Sequence, residues 1–341
     1  MELRQLTYAV AVAETGSFTR AAHRCFVVQS ALSHQIARLE SELGTLLFER
    51  TSRRVRVTAA GEAFLGPARE ALAAVERARD EVAACGSQVR GRLSIGTITP
   101  LTAVDLPDLL ATYRDRYPAV HVTLCARPVR DLLQQVRDHV FDLAFVDTRP
   151  GAPPAGLAGR VLAYEDLVAI VPHGHRLAGA AEVAPGRLAE EDMVDMPPGS
   201  GIRGHNDAAF AAAGATRTVA YEADTMALLE QLVGRGLGIG LVPAATAAGM
   251  PGVSAVAMTG VPPRTVRAVW LASAPSPAAR AFLQLLRERT PEEPEEESAE
   301  LRGEIPPEAS AEIPPEIPPE IPPETSVEAP EEAGGPRGDR P

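Results

Sequence analysis

The 341-residue sequence predicts an α/β protein in four successive parts, and three observations predict it. Apolar residues recur at helical spacing from residue 3 to about residue 89, interrupted once by a short β-like alternation. From residue 91 to residue 290, β-like runs alternate with helical segments, the pattern of strand-helix-strand units on a parallel sheet. After residue 290 the composition turns to proline and glutamate, which cannot offset the entropy of ordering. The expected parts are a winged helix-turn-helix over 1–58, a long linker helix over 59–90, a two-lobed α/β unit over 91–290 and a disordered tail over 291–341.

Leu3, Leu6, Val10 and Ala13 give the first helix an inward face, and Gly16 ends it. A second helix is expected from Thr19 to about Cys25, with Ala21 and Ala22 small enough for a close crossing. In the third, Leu32, Ile36, Leu39 and Leu43 share an inward face, and Ser30, His34, Ala37, Arg38 and Ser41 lie opposite. That outward face suits a major groove, which admits one α-helix and offers donors and acceptors on base edges. By period alone, however, the pair is equally two helices of an ordinary bundle. Next, Arg53, Val55 and Val57 alternate with Arg54, Arg56 and Thr58, the period of a short charged hairpin. Such a wing places arginine near phosphates or a minor groove, or else is merely a solvated hairpin.

The string is more specific than its period. From Leu3 to Ala60, LRQLTYAVAVAETGSFTRAA followed by LSHQIARLESELGTLLFERTSRRVRVTAAG closely resembles the N-terminal domain of the LysR-type transcriptional regulators. The resemblance implies a winged helix-turn-helix that binds a double-stranded DNA operator. It also implies a dimerising linker helix and a two-lobed, periplasmic-binding-protein-like (type 2) sensor domain with a small-molecule effector in its cleft. A tetramer made as a dimer of dimers and RNA polymerase as a further candidate partner come from the same source. Two departures stand at the start of the third helix, where the family's Ser-Gln-Pro-Ala is Val28-Gln29-Ser30-Ala31. The usual serine caps the helix and the usual proline pre-sets its first turn, so Ser30 is expected to cap instead. Gln29 and Ser33 match the family residue for residue, while His34 stands where many members carry arginine. The candidate DNA-binding residues are Thr19, Gln29, Ser30, Ser33, His34 and Arg38, with Arg50, Arg53 and Arg54 for phosphate or minor groove.

In the linker, Phe64, Ala68, Ala71, Val75, Ala78, Val82, Cys85 and Val89 recur as a heptad seam, which argues for pairing with a second helix. The alternative is a helix lying on its own domain. Phe64, Ala71, Val75, Ala78 and Val82 are the candidate dimerisation residues, and Pro67 sits early enough to kink the helix. Beyond it, strands are expected over 93–97, 120–126, 142–147, 166–171, 193–196, 217–222, 238–243 and 267–272, with helices over 106–117, 129–138, 227–234 and 278–289. The lobes would be 91–162 with 266–290, and 163–265. Ligands in open α/β folds sit beyond the carboxyl ends of strands, at helix N-termini that favour an anion. Thr99 and Thr102, Ser200, Ile202 and Arg203, and Thr148 stand at such loops as candidate effector-binding residues. Any of these hydroxyls equally serves as a simple cap. A small organic acid is the implied effector class, and no cofactor is expected.

The net charge of −12 is opposite to a DNA binder's, but residues 291–341 hold 16 acids against 3 arginines, leaving residues 1–290 at +1. Between Gly16 and Ala60 seven arginines face three glutamates, the excess that phosphates require. Cys25, Cys85 and Cys125 form no Cys-x-x-Cys or Cys/His cluster, so neither disulfides nor zinc is indicated. With no leader or apolar run of membrane length, a cytoplasmic protein is expected. GRGLGIG at 234–240 follows a helix where a dinucleotide fingerprint follows a strand, and PPGSG lacks nucleophile-elbow spacing, so no enzyme is expected. The rival reading is a small-molecule binding protein whose N-terminal helices serve only assembly.

Overall fold

The computed structural model describes residues 1–50, 55–84, 89–148, 151, 153–273 and 275–290. The expected tail, the wing arginines Arg53 and Arg54, and Cys85 lie outside the described residues.

Gly16, left-handed at φ 60°, closes α1 (Leu3–Thr15), and the Ser17 hydroxyl accepts the Arg20 N–H at 3.4 Å to open α2 (Phe18–Arg24). α3 (Gln29–Leu43) ends at Gly44. Tyr8, Val12, Ala21, Ala22, Leu32, Ile36 and Leu39 fill the space between the three helices, and Phe18 meets Phe48 edge-on with centroids 6.0 Å apart. Two expectations for α3 need correction. Its N-cap is Val28, which has no capping side chain, and Ser30 lies exposed in the first turn. Leu43, expected inward, is 41% exposed, because Glu40 takes the last buried position of the helix. The Glu40 Oε1 accepts the N–H groups of Leu47 at 2.8 Å and Phe48 at 3.1 Å, satisfying the backbone where it enters the hairpin. There β1 (Phe48–Arg50) pairs antiparallel with β2 (Val55–Val57), Phe48 opposite Val57 and Arg50 opposite Val55.

Thr58 accepts the Gly61 N–H at 3.0 Å as α4 (Ala59–Ala84) begins, and the helix runs through Pro67. Arg69, Leu72, Ala73, Glu76 and Asp80 line a cavity of about 810 Å³ between α4 and the next domain, bridged by Arg69 to Asp138 at 3.3 Å. At 100° per residue, Ala71, Val75, Ala78 and Val82 project from the opposite side. Ala78 and Val82 are exposed, Val82 at 76%. Phe64, expected on the dimer seam, packs instead against the core of its own N-terminal domain, because the seam's first turn lies over α1 to α3.

The remaining chain forms two lobes. In order, the first holds β3 (Gly91–Thr97), α5 (Leu106–Arg116), β4 (Val120–Ala126), α6 (Val129–Arg137), β5 (Leu143–Thr148) and β6 (Ala158–Glu165). The second follows with β7 (Leu167–Val171), β8 (Glu182–Val183), α7 (Pro185–Leu188), β9 (Asp192–Asp195), α8 (Gly201–Ala212), β10 (Thr218–Glu222), α9 (Met226–Gly234), β11 (Gly240–Pro243), α10 (Ala244–Ala247) and β12 (Ser254–Met258). β13 (Arg264–Trp270) and α11 (Pro277–Arg289) return to the first. The first sheet is ordered β4-β3-β5-β13-β6, with β3 parallel to β4 and β5 and with β13 antiparallel to its neighbours. The second lobe has a β11-β7-β12-β8 sheet and a parallel β9-β10 pair, joined through the Met193 to Ile239 bridge. Tyr113 ties α5 to α11, donating to the Ala278 carbonyl at 2.9 Å and lying edge-on to Phe282. The chain passes between sheets at Asp166 and again within residues 259–263, a few residues from the expected crossings at Ala163 and Val266. The cause is β6, a strand the sequence pattern did not disclose, which runs to Glu165 beside β13.

Candidate functional site

On α3 the inward face is closed, with Leu32, Ile36 and Leu39 wholly buried. Gln29, Ser30, His34 and Arg38 stand exposed on the outward face, and Ser33 is half-buried beside them. The Gln29 Nε2 donates to Ser33 Oγ at 2.8 Å, so the side-chain amide is held along the helix. Arg38 forms an ion pair with Glu2 at 3.8 Å, exposed and therefore weak in water. Thr19 is exposed on α2, and the backbone of Arg50 ends β1. Sequence reasoning missed Phe26 and Val28, which are 94% and 69% exposed in the turn leading into α3. Their signal was apolar residues in a turn that the inward period does not require.

A larger and a smaller cavity adjoin the lobes. The larger, beside α4, reaches Gly91, Ser94 and Asp142 at the amino ends of β3 and β5, the wrong end for a ligand of an open α/β sheet. A smaller one of about 270 Å³ lies at the carboxyl ends, between the lobes. Thr99, Ser200 and Ile202 line it, as expected of them. Ser200 also caps α8, accepting the Arg203 N–H at 3.3 Å, and with Gly201 and Ile202 it brings the N-terminal turn of that helix to the cavity.

Three expected cleft residues are not part of its lining. Thr148 pairs with Thr265 across β5 and β13, and its hydroxyl accepts from the buried Arg267 Nε at 3.0 Å. Arg203 turns away to the acids of its own lobe, reaching Asp207 and Glu222 at 3.3 Å and the Met196 carbonyl at 3.1 Å. Thr102 is spent on Glu165, to which its hydroxyl donates.

The charges that line the cleft were not foreseen. Arg264, at the start of β13, is 1% exposed and holds Glu165 through Nε at 2.6 Å and Nη2 at 2.5 Å. Its Nη1 lies 3.5 Å from the Oδ2 of Asp147, at the end of β5. Asp147 is buried too, and that burial pushes its carboxyl above the usual range, against the pull of Arg264 and more weakly of His205. Arg127 and Asp224 complete the polar rim. Charged residues bounding apolar strands at their cleft ends were the available signal. Elsewhere, the GRGLGIG stretch is the turn from α9 to β11, with Gly236 at φ 77°. Among the described residues, no group of three or more His, Cys, Asp and Glu is placed to hold a metal ion, and no helix is long and apolar enough to cross a membrane.

Comparison with known proteins finds two family matches in this chain. Residues 3–62 match the bacterial regulatory helix-turn-helix proteins of the lysR family, and residues 86–291 match the LysR substrate binding domain. The transcriptional dual regulator GltC of Bacillus subtilis is 33% identical over 72% of this chain and 82% of its own. Among solved structures, a cysteine-to-aspartate variant of full-length OxyR from Pseudomonas aeruginosa is similar at TM-score 0.68 and 25% identity, over 86% of this chain and 99% of its own. Full-length CbnR, solved in complex with its target DNA, is similar at TM-score 0.58 and 25% identity, over 85% of this chain and all of its own, 100%. With an exposed polar helix face in its N-terminal domain and a two-lobed cleft domain after it, the chain belongs to the LysR family, as a DNA-binding transcriptional regulator with an effector-binding domain.

Proposed function

We propose that α3 lies in the major groove of a specific operator, reading bases with Gln29, Ser30, Ser33, His34 and Arg38. The observation that carries this reading is the outward face of α3, where polar side chains stand exposed over a fully buried apolar face. Glutamine pairs bidentately with adenine, serine with several base edges and arginine with guanine or phosphate. Val28 supplies an apolar contact for a thymine methyl. Thr19, Arg50, Arg53 and Arg54 take phosphates or the minor groove. The solved complex of CbnR with its target DNA supports the same use of this domain.

The working assembly is a homodimer joined along Ala71, Val75, Ala78 and Val82 of α4, two of which are exposed in the single chain. Dimers pair into tetramers. The N-terminal domain is 1–58, the linker helix 59–90, and the effector domain 91–290. Effector binding in the cleft acts by favouring one arrangement of the subunits over another, since a ligand shifts only an equilibrium whose states it binds unequally. The protein works in the cytoplasm, contacts RNA polymerase at its promoters and catalyses no reaction.

The test is genomic DNA capture by the purified protein at two salt concentrations, with footprinting of the best site. A dyad site, its half-sites about 10 base pairs or a multiple apart and retained at the higher salt, is the expected result. Uniform, salt-sensitive binding would defeat the base-reading assignment.

A further inference from the structure

The expectation of an organic acid accounts for only one pole of the cleft. At one side stands the first turn of α8, with Ser200, Gly201 and Ile202 lining the cavity at a helix N-terminus, whose dipole favours a carboxylate. Against it stands a carboxylate of the protein itself. The Asp147 side chain is 5% exposed, and its Oδ1 is buried with no hydrogen-bond partner. That oxygen lies so close to α8 that a Cβ on Gly201 would collide with it.

Arg264 does not satisfy it. The guanidinium holds Glu165 through two nitrogens and the Pro100 carbonyl at 3.3 Å, and it meets Asp147 through Nη1 at 3.5 Å on the other oxygen, Oδ2. One buried cation thus serves two carboxylates, and Asp224 adds a third acid at the rim, which it shares with Arg127. A buried charged acceptor left without a donor is costly, and a ligand that supplies the donor recovers that cost.

We infer that the effector is a small zwitterion of the α-amino acid class, its ammonium held by the Asp147 carboxylate and its carboxylate by the first turn of α8 with Arg127. In an α-amino acid the two charged groups are separated by a single carbon, and the two poles of this cleft lie directly against one another. The cavity, about 270 Å³, suits a small metabolite. Gly201 is required by the same geometry, since any side chain there would displace Asp147 from the α8 terminus. This assignment rests on the cleft being the effector site.

The experiment is calorimetry and thermal-shift measurement on the full-length protein with the standard amino acids. Each amino acid that binds is then compared with its 2-oxo acid and its decarboxylated amine. An amino acid should bind, its 2-oxo acid about tenfold or more weakly, and Asp147→Asn should lose a similar factor. The analogue comparison needs no variant, so it holds even if Asp147→Asn folds poorly. Equal binding of the 2-oxo acid, an unchanged affinity in Asp147→Asn, or no binding by any amino acid overturns the assignment. Thr99→Trp, at an exposed position of the cleft wall, separates the two readings. If a 2-oxo acid binds fully and Thr99→Trp abolishes it, the cleft stands and the ammonium fails. Binding that survives Thr99→Trp places the ligand elsewhere, and both fail.

Discussion

Glu40 is a charged residue buried on α3 beside the apolar face, and its carboxylate receives the backbone N–H groups of Leu47 and Phe48 at the entry to the hairpin. Replacing it with alanine strands both donors in the core, at about 1–3 kcal/mol each. Glu40→Ala should therefore lose about 2–6 kcal/mol in urea unfolding, and Glu40→Gln, which keeps an acceptor oxygen, markedly less. Equal losses would mean that the charge, rather than the acceptor, matters. Gln29 carries the opposite kind of role, on the exposed side of the same helix. Gln29→Ala should weaken a specific operator by about 1–3 kcal/mol while leaving random-sequence binding nearly unchanged. A parallel loss on random DNA, measured by competition, would reduce Gln29 to a backbone contact. The exposed polar face of α3 was legible because exposure on a helix follows period. Asp147 and Arg264 were not, because a charge at the end of an apolar strand looks solvent-exposed until the second lobe is seen to close over it.

Elements show the same division between local and distant causes. α1 to α4 and the wing declared themselves through period and glycine, and so did β3, β4, α5 and α6. β6, AGRVLAYE, did not, since its strand character comes from pairing with β13, 100 residues or so further along the chain. α8 contains two glycines in its twelve residues and has poor helix propensity; the Ser200 cap and the burial of Ile202, Ala209 and Phe210 hold it. The apolar stripe expected along α4 begins at Phe64, which packs on the N-terminal core, and passes to the exposed Ala78 and Val82. Its exposed end carries the testable claim, as Val82 has little of its own chain around it. Val82→Glu should raise the dimer dissociation constant about tenfold or more while shifting monomer stability by less than about 0.5 kcal/mol. Sedimentation across a concentration series distinguishes this from a helix that lies solely on its own lobe, for which the dissociation constant would not move.

At the scale of the whole molecule, charge is segregated along the chain rather than balanced, with residues 291–341 taking the net charge from +1 to −12. The field of that segment opposes the approach of any phosphate backbone, and its strength depends on salt. Deleting residues 291–341 should therefore tighten binding to random DNA several-fold at low ionic strength. The gap should close as the screening length falls from about 30 Å at 0.01 M to about 8 Å at 0.15 M. Since this proline- and glutamate-rich composition cannot bury enough apolar surface to add to a core, the same deletion should leave the melting temperature and the oligomer size unchanged. The two readouts separate the physical causes. A gain in DNA affinity with an unchanged melting temperature assigns the segment an electrostatic effect on association. A marked fall in melting temperature would instead show that it packs against the folded chain, and any gain in affinity would then have to be traced to altered structure.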